Sequence, residues 1–207
     1  SGRNKNNTMN IRLTLTILLA FEIFTSNAQE FKAGLHVGMT ATQVDGDSLQ
    51  GFNKAGLLGG LFVSRQLSDH TALHFELMYI QKGSRKPLDK DYNTFYRLRL
   101  NYLEAPLLFR YKPGKKLGLQ FGPAIGVLLF SQEEDQLGLI RYSPPFKKME
   151  YSLCGGLTYD LSEKMLFDFR YSYSMVAVRP FDVARSYLYW NGGQFNSVLQ
   201  FALQYAF

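Results

Sequence analysis

Cysteine occurs once in this 207-residue chain, as Cys154, and tryptophan once, as Trp190. A single thiol excludes an intramolecular disulfide framework and any Cys-rich zinc site. Histidine is scarce too: His36, His70 and His74 are the only three, and none has a metal-ligand spacing. No cofactor and no metal are expected. No apolar run reaches the ~20 residues that a transmembrane helix needs. The charges balance to only +6 and are scattered rather than clustered, which argues against nucleic acid as a partner. What is plentiful is aromatic: 13 Tyr and 17 Phe, with 18 Gly. A disordered chain would be poor in aromatic and β-branched residues.

The amino-terminal region reads as an address. Residues 1–8 precede Met9 and look like an upstream extension. Met9-Asn10-Ile11-Arg12 supplies a basic start, Leu13 to Phe24 a short apolar run interrupted by Glu22, and Ser26-x-Ala28 a small-x-small exit. That is the pattern of a secretory signal peptide over 9–28, cleaved before Gln29. An exported chain with no membrane helix is periplasmic, secreted, or a β-barrel of an outer membrane.

Period-two alternation selects the barrel. Near the carboxyl end Phe195, Leu199, Phe201, Leu203, Tyr205 and Phe207 share one parity. Gln194, Asn196, Gln200 and Gln204 share the other. The pattern recurs in 167–175, 151–161 and 117–129, and more roughly in 73–79 and 96–111. Lys54–Arg65 and Phe31–Thr40 are Gly-rich strands. Several segments exceed the ~5–6 residues of ordinary strands and match the ~9–11 of membrane-spanning ones. In 96–111 the apolar parity slips near Tyr102 and Leu103, as a β-bulge would produce. The expected architecture for 29–207 is all-β: an eight-stranded antiparallel transmembrane barrel with short periplasmic turns at 66–70, 112–116 and 161–164. Four longer outer loops cover 41–53, 83–95, 130–148 and 178–193. Tyrosines including Tyr96, Tyr102, Tyr111 and Tyr151 suit an aromatic girdle. A soluble lipocalin-like barrel shares the alternation. The leader, the strand length and the terminal Phe207 favour the membrane form.

The chain also resembles the PorT-like small outer-membrane β-barrel family, common in Bacteroidetes-type bacteria. The resemblance rests on Asn27-Ala28-Gln29, on Phe31-Lys32-Ala33-Gly34-Leu35, and on Asn101 to Tyr111, which is similar to the family's Tyr-Leu-Glu-Ile-Pro-Leu-Leu strand with Ala105 in the isoleucine's place. It rests also on Gly118 to Gly126, and it covers nearly the whole mature chain. It implies a bacterial outer-membrane location, and for some members a part in protein secretion. Leu203, Tyr205 and Phe207 resemble the signal read by the barrel-assembly machinery.

The polar parity places ionisable residues inside a narrow lumen, where charges must pair. Glu76, Glu104 and Asp168 are expected to pair with Arg97, Arg110 and Arg170. Such a network is a structural plug or, alternatively, an ion path or ligand site. The expected function is a non-enzymatic structural, assembly or binding component. Its partners are outer-membrane lipid and secretion or other envelope proteins. A narrow solute pore is the alternative. A barrel lipase or acyltransferase, drawing on His74, Glu76 and Ser152, Ser172 or Ser174, has no motif behind it. Phe181, Tyr187, Tyr189 and Trp190 make 178–193 the most aromatic loop and the candidate partner contact.

Overall fold

The computed structural model describes residues 31–47, 49, 51–89, 94–140, 144–180 and 192–207. The leader at 9–28, the extension at 1–8 and the loop aromatics Phe181, Tyr187, Tyr189 and Trp190 lie outside the described residues. Eight long strands are described: β1 (Phe31–Asp45), β2 (Lys54–Ser68), β3 (Thr71–Asp89), β4 (Thr94–Tyr111), β5 (Leu117–Asp135), β7 (Met149–Asp160), β8 (Met165–Ser174) and β10 (Gly193–Ala206). Two short pieces, β6 (Gly138–Leu139) and β9 (Arg179–Pro180), pair with β5 and β10. Each long strand is hydrogen-bonded antiparallel to the next, and β1 returns to β10 over Gly34↔Ala206 to Asp45↔Phe195. The sheet therefore closes and leaves no long edge unpaired, which hydrocarbon would not tolerate.

The two faces separate as the alternation requires. Leu61, Phe75, Leu107, Phe121, Leu153 and Phe201 are exposed around the outside. The inner parity is buried: polar, charged or small over much of its length, with a cluster of large apolar side chains toward the long-strand rim. A packed protein with its large apolar side chains outside and its charges inside fits only a surrounding apolar medium.

The strands run further at the rim of the long connections than their apolar alternation alone indicates. β3, β4 and β5 reach 19, 18 and 19 residues. Cross-strand pairing continues past the apolar band, as in Arg85↔Arg97↔Glu134. The outer connections are correspondingly shorter than the expected loop spans.

The irregularity expected near Tyr102 is present, but the extra residue belongs to β5. Asn101 pairs with Phe130 and Tyr102 with Leu128, leaving Leu129 over. β4 itself keeps one parity: Leu98, Leu100, Tyr102, Glu104 and Leu108 are all fully buried. This corrects Tyr102 from girdle to lumen. It also corrects Arg97, whose odd position turns it away from the interior. Gly83, opposite Arg99, has φ +130, and a Cβ there would lie 2.2 Å from the Leu98 carbonyl oxygen. Only glycine fits at that point.

Candidate functional site

The interior is filled from the short-turn rim to the long-strand rim in three tiers. Lowest is a charge cluster built by side chains of β1, β3, β4, β5, β8 and β10. Arg170 donates from Nη1 to Glu76 Oε2 at 2.8 Å and from Nη2 to Glu76 Oε1 at 2.7 Å, a bidentate pair. The same Nη2 donates to Asp168 Oδ2 at 2.6 Å. Arg110 reaches Asp168 Oδ2 at 3.5 Å and donates to Gln204 at 3.1 Å and Gln120 at 3.1 Å. Gln120 and Gln204 in turn donate to Asp168 at 2.6 and 3.1 Å. His74 Nε2 lies 2.9 Å from Glu76 Oε1, and His36 Nδ1 3.3 Å from Glu76 Oε2. Two carboxylates meet two guanidiniums, so these four charges balance. Charge-assisted contacts of this length are the strong ones.

Above it lies a second charged group. Lys82 is fully buried between Glu104, with which it forms an ion pair, and Glu150, 3.1 Å away. Its ammonium also sits 5.1 Å from the centre of the Tyr102 ring. Ser174 donates to Glu150 at 2.6 Å, and Asn196 donates to Glu150 at 3.1 Å. Packed around and above these polar groups are Val44, Leu58, Met78, Ile80, Leu98, Leu100, Val198 and Ala202. These apolar side chains pack together in the outer part of the lumen.

Five of the six residues expected in the lumen stand in these tiers: Glu76, Asp168, Arg110 and Arg170 together, and Glu104 with Lys82. Arg97 does not. Its side chain is 43% exposed, 3.7 Å from Glu134 at the outer rim, where Arg99 also reaches Glu134 at 3.2 Å. Three members were missed: His36, Lys82 and Glu150. Each continues a parity visible in the sequence. Lys82 follows His74 and Glu76 at even positions, Glu150 precedes Ser152, and His36 lies between Gly34 and Gly38.

At the outer rim Glu133 accepts from Arg179 Nη2 at 2.6 Å and from the Tyr96 hydroxyl at 2.6 Å. Burial, reinforced by that carboxylate, pushes the Tyr96 hydroxyl well above the ordinary phenol range. At the opposite rim Lys112 pairs with Asp160. Leu203 and Tyr205 lie on the exposed face of β10, and the Phe207 amide donates to Ala33 at 3.0 Å while its ring stays 72% exposed.

His36, Glu76 and Asp168 bring donor atoms within 4.8 Å of one another, a possible metal set by distance alone. The chemistry does not fit. Arg170 already holds both carboxylates and Arg110 holds Asp168, so a dication would meet two fixed guanidinium charges. Among the described residues no hydrogen bond joins His74 to Ser152, Ser172 or Ser174: Ser174 donates to Glu150, and Ser172 accepts from Gln200 at 3.3 Å.

Comparison with known proteins gives a consistent result. A family model described as the outer membrane protein beta-barrel domain matches residues 27–177. Among solved structures, the chain is similar to Ail, the attachment invasion locus protein of Yersinia pestis. The TM-score is 0.50 at 12% identity, covering 86% of this chain and 99% of that one. It is similar also to Neisserial surface protein A, with a TM-score of 0.51 at 12% identity over 86% of this chain and 97% of that one. At such identity the likeness shows the fold alone. No curated protein sequence matches the chain.

Proposed function

Because the chain belongs to the outer membrane protein β-barrel domain family, we propose that it is a PorT-like, non-enzymatic barrel with a plugged lumen. It serves as a membrane-embedded structural, assembly or binding component linked to protein secretion. The observation that carries this reading is the filled interior. The Glu76–Arg170–Asp168–Arg110 cluster, the Lys82 pairings and the apolar tier above them occupy the space a solute would need. Aqueous channels typically require about sixteen strands. Function then falls to the rims and the outer surface. The even number of long strands puts both chain ends on the short-turn side, which faces the periplasm, so the tall rim of β3, β4 and β5 faces outward. The stretch Asn101 to Tyr111 supports the PorT-like reading, in which secretion is the role of some members, and among the described residues the lack of a hydrogen bond from His74 to Ser152, Ser172 or Ser174 supports the non-enzymatic assignment.

The first test is electrical. Purified barrel in planar bilayers is expected to give no steady current; a reproducible single-channel conductance would make it a pore. The second is biochemical. Native outer membrane extracted in mild detergent should release the barrel with a secretion or motility component at fixed stoichiometry. A lone monomer would remove the secretion link.

A further inference from the structure

We propose that the outer face of the β3–β4–β5 wall binds the phosphate of an outer-leaflet lipid headgroup through Arg85, Arg97 and Arg99. The proposal rests on the orientation given above.

The register stacks this face in rows. Tyr79, Leu103 and Val127 form the last apolar row. The next row is Gln81, Asn101 and Phe130, two amides and an exposed ring. Then come Gly83, Arg99 and Gln132, and above them Arg85, Arg97 and Glu134. With a rise of about 3.3 Å per residue and a tilt of about 40°, each row gains about 5 Å of height. Arg99 and Arg97 thus stand about 10 and 15 Å above the last apolar row, beyond the hydrocarbon edge, with stems long enough to reach back toward it.

Among the described residues, the ion pairs on this face leave positive charge over: Glu134 accepts from Arg99 at 3.2 Å and faces Arg97 at 3.7 Å, while Arg85 brings a third guanidinium to the row. Arg85 is exposed and lies directly opposite Arg97, a like-charge cross-strand pair that is destabilising unless an anion lies between. The excess, the side chains' exposure (43% for Arg97, 37% for Arg99) and the continuity with the lipid-facing band fit a bound phosphate oxygen set better than a solvated face. The nearest apolar tip, Leu137 and Leu139 on the β5–β6 hairpin, carries no charge pattern that would identify a protein partner instead.

The test is native mass spectrometry of the detergent-solubilised barrel with bisphosphorylated lipid A added, alongside dephosphorylated lipid A and inorganic phosphate. Wild type should retain one bisphosphorylated lipid A molecule and no dephosphorylated one. The Arg85→Gln/Arg97→Gln/Arg99→Gln variant should lose that adduct by about tenfold or more. The Glu134→Gln variant, with one competing carboxylate fewer, should retain more lipid; a merely structural role for the ion pairs would have it retain less. Equal adducts in the triple variant, or equal binding of the dephosphorylated lipid, would overturn the proposal. Displacement of the lipid by millimolar inorganic phosphate would overturn the lipid as the source. Heat-modifiable gel mobility confirms that each variant is folded. The conductance measurement is unaffected by these residues, so it tests the plugged-barrel reading separately.

Discussion

Arg170 holds Glu76 by two hydrogen bonds and Asp168 by a third, with its side chain wholly out of water. Replacing it by Met strands two buried carboxylates, a loss of about 3–5 kcal/mol. Arg170→Met should therefore lower the midpoint of heat-modifiable unfolding in detergent sharply. Removing the partner as well, in Arg170→Met/Glu76→Gln, should recover part of the loss. Two additive single effects would mean the pair is not coupled. Gly83 makes a different demand. Gly83→Val meets both a positive φ and the Leu98 carbonyl, so it should cost about 1–3 kcal/mol even though the site is at the rim. Denaturant titration of the refolded variant reads this directly. The same substitution at Gly155, on the outer face with nothing within 4 Å of its would-be Cβ, should be close to neutral.

At the scale of the strand, alternation alone makes most of the fold legible. The inward row of β8 and β10, with Asp168, Arg170, Gln200 and Gln204, reads directly from the sequence because nothing interrupts either strand. The upper half of β4 does not. Leu98, Leu100 and Tyr102 are apolar and point inward, while Arg97 and Arg99 are charged and point outward, the reverse of the rule that holds below. The reason is height. Above the hydrocarbon the outside is polar and the plug's apolar tier is inside, so the pattern inverts without the backbone slipping. The real insertion, Leu129, is silent in the sequence because Leu128, Leu129 and Phe130 are all apolar. The inversion is open to a direct check. With Cys154 replaced by Ala, a spin label at Leu103→Cys should collide with dissolved oxygen in lipid. One at Arg97→Cys should collide instead with a water-soluble relaxant. Equal behaviour of the two would place both in the same medium. The charge set of the lumen was half-readable: the parity named three of its four carboxylates and both arginines of the lower tier. Lys82, Glu150 and His36 became members only because closure brings β1, β3 and β7 around one axis.

For the whole molecule, the outside is as decisive as the interior. Leu153 is exposed midway along β7, and Leu117 is exposed at the short-turn end of β5. Leu153→Arg should cost about 2–4 kcal/mol when the barrel folds into bilayers, and Leu117→Arg about 0–1 kcal/mol. Folding titrations into lipid vesicles give both values. Equal penalties would mean the two positions do not differ in depth.

The wall is also uneven. On one side β3, β4 and β5 rise through 19, 18 and 19 residues; among the described strands β7 and β8 stop at 12 and 10. A cylinder cut obliquely has a front and a back. In the plane of the membrane this barrel is a directional object, like a tile with one raised border. A neighbour sliding toward it meets tall strands from one bearing and the shorter described strands from the other. Its rotation about the membrane normal therefore carries information that a level-rimmed barrel would not have. Any array it joins should show a fixed angular orientation, even where the contacts are only with lipid.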